Sequence, residues 1–147
     1  MSSARSQAGF TLIEMMAVMM IIAMVASLSV MFIPGTGRAG LKAVVMNTAA
    51  LLRRERQGSI LTGRDRHVSL DSEQRMLIGD SGDRVVIPPD VAVNILGESA
   101  IWSGRLAVAA FHADGASSGA ALRFSREGVM YEVHVNWYTG GVTIEAP

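Results

Sequence analysis

The stretch QAGFTLIEMMAVMM, residues 7–20, sets a carboxylate, Glu14, at the mouth of a run that is otherwise apolar. Residues 15–33 hold no charge and, as polar side chains, only Ser27 and Ser29. Counted from Phe10 to Ile33, the run makes about 36 Å of helix at about 1.5 Å per residue, enough to cross a bilayer once. A carboxylate carried toward hydrocarbon costs roughly 2.5–3.5 kcal/mol near mid-membrane and less at the interface, so Glu14 calls for a partner. Phe10 and Glu14 stand at i and i+4 of one helix. An α-amino group freed at Phe10 is therefore within reach of Glu14 in the same chain.

What precedes the run decides whether it is kept. Residues 1–9 are short and polar, with Arg5 as the only charged side chain, and they end in Gly9. A secretory signal peptide is cut beyond its apolar core and loses that core, whereas a cut at Gly9 retains it. GFTLIEMMAVMMIIA, residues 9–23, resembles the class III leader junction of type IV pilins and type II secretion pseudopilins. The shared features are glycine before the cut, phenylalanine as the new N-terminus, and glutamate at the fifth mature position. The resemblance implies a prepilin peptidase that cuts between Gly9 and Phe10 on the cytoplasmic side and N-methylates Phe10. It also implies that Glu14 meets the N-terminus of a neighbouring subunit in a filament.

Beyond the apolar run the chain reads as an ordinary water-facing protein. Basic and acidic residues are 13 each, so no global field favours nucleic acid or an anionic surface. There is no cysteine, which excludes a disulfide framework and thiolate metal sites. Pro34, Gly35 and Gly37 weaken a helix at the membrane exit. Periodicity then resumes: Leu41, Val44, Val45, Thr48, Leu51 and Leu52 share one face of an amphipathic helix, with Lys42, Asn47, Arg53 and Arg54 mostly off it. Gly58 is the expected stop, and Arg53, Arg54 and Arg56 suit the negative end of the helix dipole.

Strands follow. Residues 66–71, 75–78, 84–87, 91–96, 106–112 and 120–125 have strand character, interrupted by turn residues such as Pro88, Pro89 and Asp90. The strongest alternation comes late: Val129, Tyr131, Val133, Val135 and Trp137 form one face, and Met130, Glu132, His134, Asn136 and Tyr138 the other. Thr139, Gly140 and Gly141 allow a reversal into residues 142–145. The expectation is an α+β molecule of four segments: leader 1–9, transmembrane half-helix 10–33, amphipathic half-helix 34–57, and a β-rich head 58–147 of antiparallel strands.

FHADGASSGAALRFSREGVMYEVHVNWYTGGVTI, residues 111–144, resembles the C-terminal half of the GspH group of minor pseudopilins. There an aromatic strand leads into a D-G-x-S-S-G loop, two strands and a T-G-x-V hairpin. With the leader and stem, the resemblance implies a type IV pilin-like fold and a minor pseudopilin of the type II secretion system. Such a protein is a structural subunit at or near the tip of a periplasmic pseudopilus that aids export of folded proteins across the outer membrane. The implied partners are other minor and major pseudopilins, the prepilin peptidase and inner-membrane lipid, with the head in the periplasm and no cofactor or enzymatic activity. The FimT and FimU minor pilins of type IV pili share this domain, so the alternative is a minor pilin that primes pili or binds DNA.

Several motifs match patterns without their context. GTGRAG, residues 35–40, satisfies the dinucleotide glycine pattern but follows a membrane helix instead of a β-strand. GASSG, residues 115–119, satisfies the nucleophile-elbow pattern, yet a strand follows Ser117 where a helix is required. His67, His112 and His134 are too scattered for a zinc spacing, and no acidic loop suits calcium. Arg53, Arg54, Arg56, Arg64 and Arg66 form the one basic concentration. Lacking interleaved aromatics, it reads as a solvated helix end or a subunit contact in preference to a nucleic-acid surface.

Overall fold

The computed structural model describes residues 11–31, 38–96, 101–102 and 104–146, with side chains described for residues 11–25, 39–96 and 104–146. The chain divides into two compact units, residues 1–35 and 36–147.

The first unit holds helix α1, Leu12–Met31. Thr11 starts it, its carbonyl accepting the N–H groups of Glu14 at 3.0 Å and Met15 at 3.3 Å. Every described side chain from residue 12 to residue 25 is exposed, whichever side of the helix it leaves. A helix that is apolar all round is suited to a core or a bilayer. Among the described residues no helix is long and apolar enough to cross a membrane. The described side chains of α1 stop at Val25, short of the full apolar stretch of residues 10–33. The expected break at Pro34, Gly35 and Gly37 lies outside the described residues.

The second unit is α+β. Helix α2, Arg38–Thr62, carries the stripe the periodicity requires: Leu41, Val44, Val45, Thr48, Leu51 and Leu52 are all buried. It runs past Gly58. The stop is at Gly63, which adopts φ 62° and ends the helix as a left-handed glycine can. Arg64 N–H donates back to the Ser59 carbonyl at 3.3 Å across this cap.

Two antiparallel sheets receive α2. In the first, the spatial order is β3 (Arg84–Val86), β2 (Met76–Gly79), β1 (Arg66–Asp71), β6 (Arg105–Phe111) and β5 (Ile101–Trp102). In the second it is β4 (Ala92–Leu96), β7 (Ala120–Arg126), β8 (Val129–Val135) and β9 (Val142–Glu145). The chain passes between sheets at residues 87–91, and Arg75 secures that passage by donating to the carbonyls of Pro88 at 3.1 Å and Val91 at 2.5 Å. The register of β1 against β6 shifts between Val68 and Ser69, where β6 carries one extra residue, Val108, and Ser69 is buried together with Val68 and Leu70. Phe111, Leu122, Phe124 and Val133 complete the core under α2.

Two sequence expectations need correction here. Trp137 does not continue the buried face of β8. That strand ends at Val135, and Asn136 turns the chain by accepting the N–H groups of Tyr138 and Thr139, which leaves Trp137 68% exposed. The short strand β5 had no sequence signal, being two residues paired to the start of β6.

Candidate functional site

Of the three residues the sequence assigns to processing and assembly, Gly9 and Phe10 lie outside the described residues. Glu14 sits in the first turn of α1, where a negative charge complements the helix dipole. Its side chain is exposed, and its carboxylate has no hydrogen-bond or ion-pair partner among the described residues.

The basic concentration is not a free surface. Arg53 donates to the Val142 carbonyl at 2.9 Å, which ties α2 to β9. Arg54 pairs with Asp83 at 2.6 Å in the β2–β3 turn, and its guanidinium holds that carboxyl below the ordinary value. Arg56 donates from Nε to the Gly115 carbonyl at 3.1 Å. Arg66 turns back from β1 onto α2 and reaches Glu55 at 3.4 Å. The patch is therefore partly solvated, with Arg53, Arg54 and Arg64 exposed, while Arg53, Arg54, Arg56 and Arg66 also join the helix to the head.

Glu55 is the residue that sequence reasoning missed. It is fully buried, and it accepts the Ser81 N–H at 3.1 Å and the Ser81 hydroxyl besides pairing with Arg66. Its signal was present in the spacing. Leu41, Thr48 and Glu55 recur at i, i+7 and i+14, so the buried stripe ends on a charge. Two glycines make room for the pair. A Cβ on Gly58 would meet the Arg66 guanidinium carbon at 2.6 Å, and one on Gly79 would overlap the Glu55 carboxylate. Gly58 thus leaves room for the Arg66 guanidinium beside the helix, and its own φ is not in the left-handed region.

The loop of residues 112–119 joins β6 to β7 and closes the same end of the molecule. Ser117 donates its hydroxyl to the Asn136 carbonyl at 3.0 Å and accepts the Gly119 N–H, also at 3.0 Å. Its backbone N–H meets the Trp137 carbonyl at 2.9 Å. The hydroxyl is consumed by structure and a strand follows, so the elbow pattern has no nucleophile to offer. Gly140, with φ 62°, packs against the Gly115 carbonyl and Arg56, where a Cβ would find no space. The D-G-x-S-S-G and T-G-x-V signatures are therefore two halves of one interlock centred on Arg56.

His67, His112 and His134 stand beside Asp80, Asp65 and Glu132 respectively, at 3.2, 3.1 and 3.1 Å. Hydrogen bonding to His112 lowers the Asp65 pKa, and Arg123 does the same for Glu132.

Residues 4–30 match the family described as the prokaryotic N-terminal methylation motif. Over 141 residues the chain is 30% identical to a type II secretion system protein H of Xanthomonas campestris pv. campestris, spanning 94% of this chain and 83% of that one. The fold is similar to the minor pseudopilin EpsH of the Vibrio cholerae type 2 secretion system, with TM-score 0.57 and 18% identity over 72% of this chain and 96% of that one. It is similar also to the type IV minor pilin FimU of Pseudomonas aeruginosa, with TM-score 0.55 and 14% identity over 75% of this chain and 94% of that one. Both likenesses establish a type IV pilin-like fold.

Proposed function

The chain belongs to the type II secretion system protein H family, and on that premise we propose that it acts as a minor pseudopilin, a structural subunit of a short periplasmic filament that aids export of folded proteins. The observation that carries the reading is the conjunction of a methylation-motif junction with an apolar helix whose first turn bears the exposed carboxylate of Glu14. In this reading residues 1–9 are a leader, cut between Gly9 and Phe10, and Phe10 becomes the N-methylated terminus. Residues 10–33 anchor the subunit in the inner membrane, and the head stands in the periplasm. Glu14 then pairs with the new terminal amine of an adjacent pseudopilin, which offsets the cost of its place in the membrane. The position of the subunit at or near the filament tip rests on the family resemblance.

Two observations weigh against the pilus alternative. The relative that shares 30% identity is a secretion protein, while the fold likenesses to EpsH and FimU are nearly equal and so do not separate the two systems. Arg54 and Arg66 are paired with Asp83 and Glu55, and Arg53 and Arg56 are held against backbone carbonyls, which leaves fewer of these guanidinium groups free to follow a phosphate backbone.

The test is complementation of a strain lacking this subunit. Wild-type protein restores secretion of folded exoproteins, and crosslinks join it to other pseudopilins. Restored twitching or DNA uptake, without an effect on secretion, would overturn the assignment.

A further inference from the structure

Three metal-ligating groups meet on one face of the β8–β9 pair. The strands run antiparallel with Glu132 opposite Glu145 and His134 opposite Thr143, and positions 132 and 134 share a face by the period of two. His134 Nε2 stands 3.1 Å from Glu132 Oε2 and 3.7 Å from Glu145 Oε2. One ligand atom from each residue lies within 4.8 Å of the other two. Tetrahedral zinc with bonds of about 2.0–2.1 Å spaces its ligands by about 3.3 Å, so these atoms outline one face of such a site.

The charges point the same way. Two glutamates directly across a strand pair repel each other. The neighbouring strand supplies one guanidinium, Arg123, whose Nε lies 2.6 Å from Glu132 Oε1. That contact fixes the Glu132 carboxylate and leaves Oε2 turned toward His134, as a hydrogen bond behind a metal-ligating carboxylate does. Glu145 is on the edge strand and faces His134 without an arginine or lysine ion pair among the described residues. A bound cation would relieve the repulsion, and an imidazole nitrogen among the donors favours a first-row transition ion over magnesium or calcium.

We propose that Glu132, His134 and Glu145 form a binding site for a divalent transition ion, zinc above all, that ties the edge strand β9 to β8. Water completes the coordination on the solvent side. The histidine spacing along the chain conceals this site, because two of its three ligands are carboxylates and one of them arrives from across a hairpin.

The experiment uses the untagged full-length chain in detergent micelles, stripped with chelator and titrated with Zn2+ by calorimetry and with Co2+ by visible absorption. The expected result is one ion per chain, a low-coordinate Co2+ spectrum, and a rise in melting temperature with Zn2+. His134→Asn and Glu145→Gln should each weaken binding by at least about tenfold. The double change His67→Asn with His112→Asn should leave the affinity as in wild type. Ring 15N resonances of the wild-type histidines give a check that needs no variant: Zn2+ must shift those of His134 and leave those of His67 and His112 in place. Absence of saturable one-to-one binding, binding indifferent to His134→Asn, or shifts confined to the other two histidines would overturn the proposal.

Discussion

Glu55, Arg66, Gly58 and Gly79 behave as one unit. Burying a carboxylate without partners costs several kcal/mol, and here Arg66 and both donors of Ser81 offset that cost. Replacing Glu55 with Ala removes the acceptor and strands a guanidinium that is only 24% exposed. We expect a loss of about 3 kcal/mol, read as a lower midpoint in urea unfolding of the detergent-solubilised chain. Gly58 allows a sharper test because two effects oppose each other there. Alanine gains about 1 kcal/mol over glycine inside a helix, but its Cβ collides with the Arg66 guanidinium. Gly58→Ala should therefore destabilise wild type by about 1 kcal/mol and stabilise an Arg66→Ala background by a similar amount. The same sign in both backgrounds would show that Gly58 does not make room for Arg66.

At the scale of elements, α2 is held to the head by side chains that leave opposite flanks of its buried stripe. Arg53 reaches β9, Arg54 the β2–β3 turn, and Arg56 the loop before β7. The Arg54–Asp83 pair is exposed and screened by solvent, so the larger share comes from the part-buried bonds of Arg53 and Arg56 to carbonyls, about 1.5–3 kcal/mol each. Replacing Arg53, Arg54 and Arg56 together with Ala should cost about 3–6 kcal/mol and lower the level of folded protein in cells, without creating or removing salt-sensitive DNA binding. The Asp83 contribution has a defined pH window. Its folded pKa lies below the ordinary 3.8, so its stabilisation is present above that value and is lost as pH falls through the lowered one. Asp83→Asn should thus depress the melting temperature near neutrality and converge with wild type in strong acid; a gap that persists there would refute the ion-pair account. The α2 stripe and most strands were legible because burial there follows a fixed period, 3.6 or 2. The arginine clamp was not, since a run of basic residues looks the same whether solvent or carbonyls receive it. Trp137 misled for a related reason: alternation continues in the letters after Asn136 has already turned the backbone.

At the scale of the whole molecule, the first unit and the second obey different solvents. The head buries a full core of its own, whereas α1 exposes leucine, isoleucine, valine and methionine around its circumference. In the proposed reading, lipid covers this helix first and neighbouring subunits' helices cover it in the filament. The methylation motif was legible in the sequence because it is positional: glycine, phenylalanine and glutamate at fixed offsets before an apolar run. Which face of the head meets which partner was not, because that surface is assembled from strands distant in sequence. Two substitutions separate the proposed steps. Gly9→Leu should leave the precursor uncut and still inserted, seen as an intact mass with the leader attached and no methylated Phe10. Glu14→Ala should be cut and inserted normally but fail to crosslink to neighbouring pseudopilins, because no carboxylate remains to receive the adjacent amine. Glu14→Asp should recover part of the crosslinking, since it restores the charge one methylene short of its place, and Glu14→Gln should not. Equal crosslinking by the Ala and Asp variants would mean that the filament tolerates an uncompensated terminal amine, and the role given to Glu14 would be withdrawn while the family assignment stood.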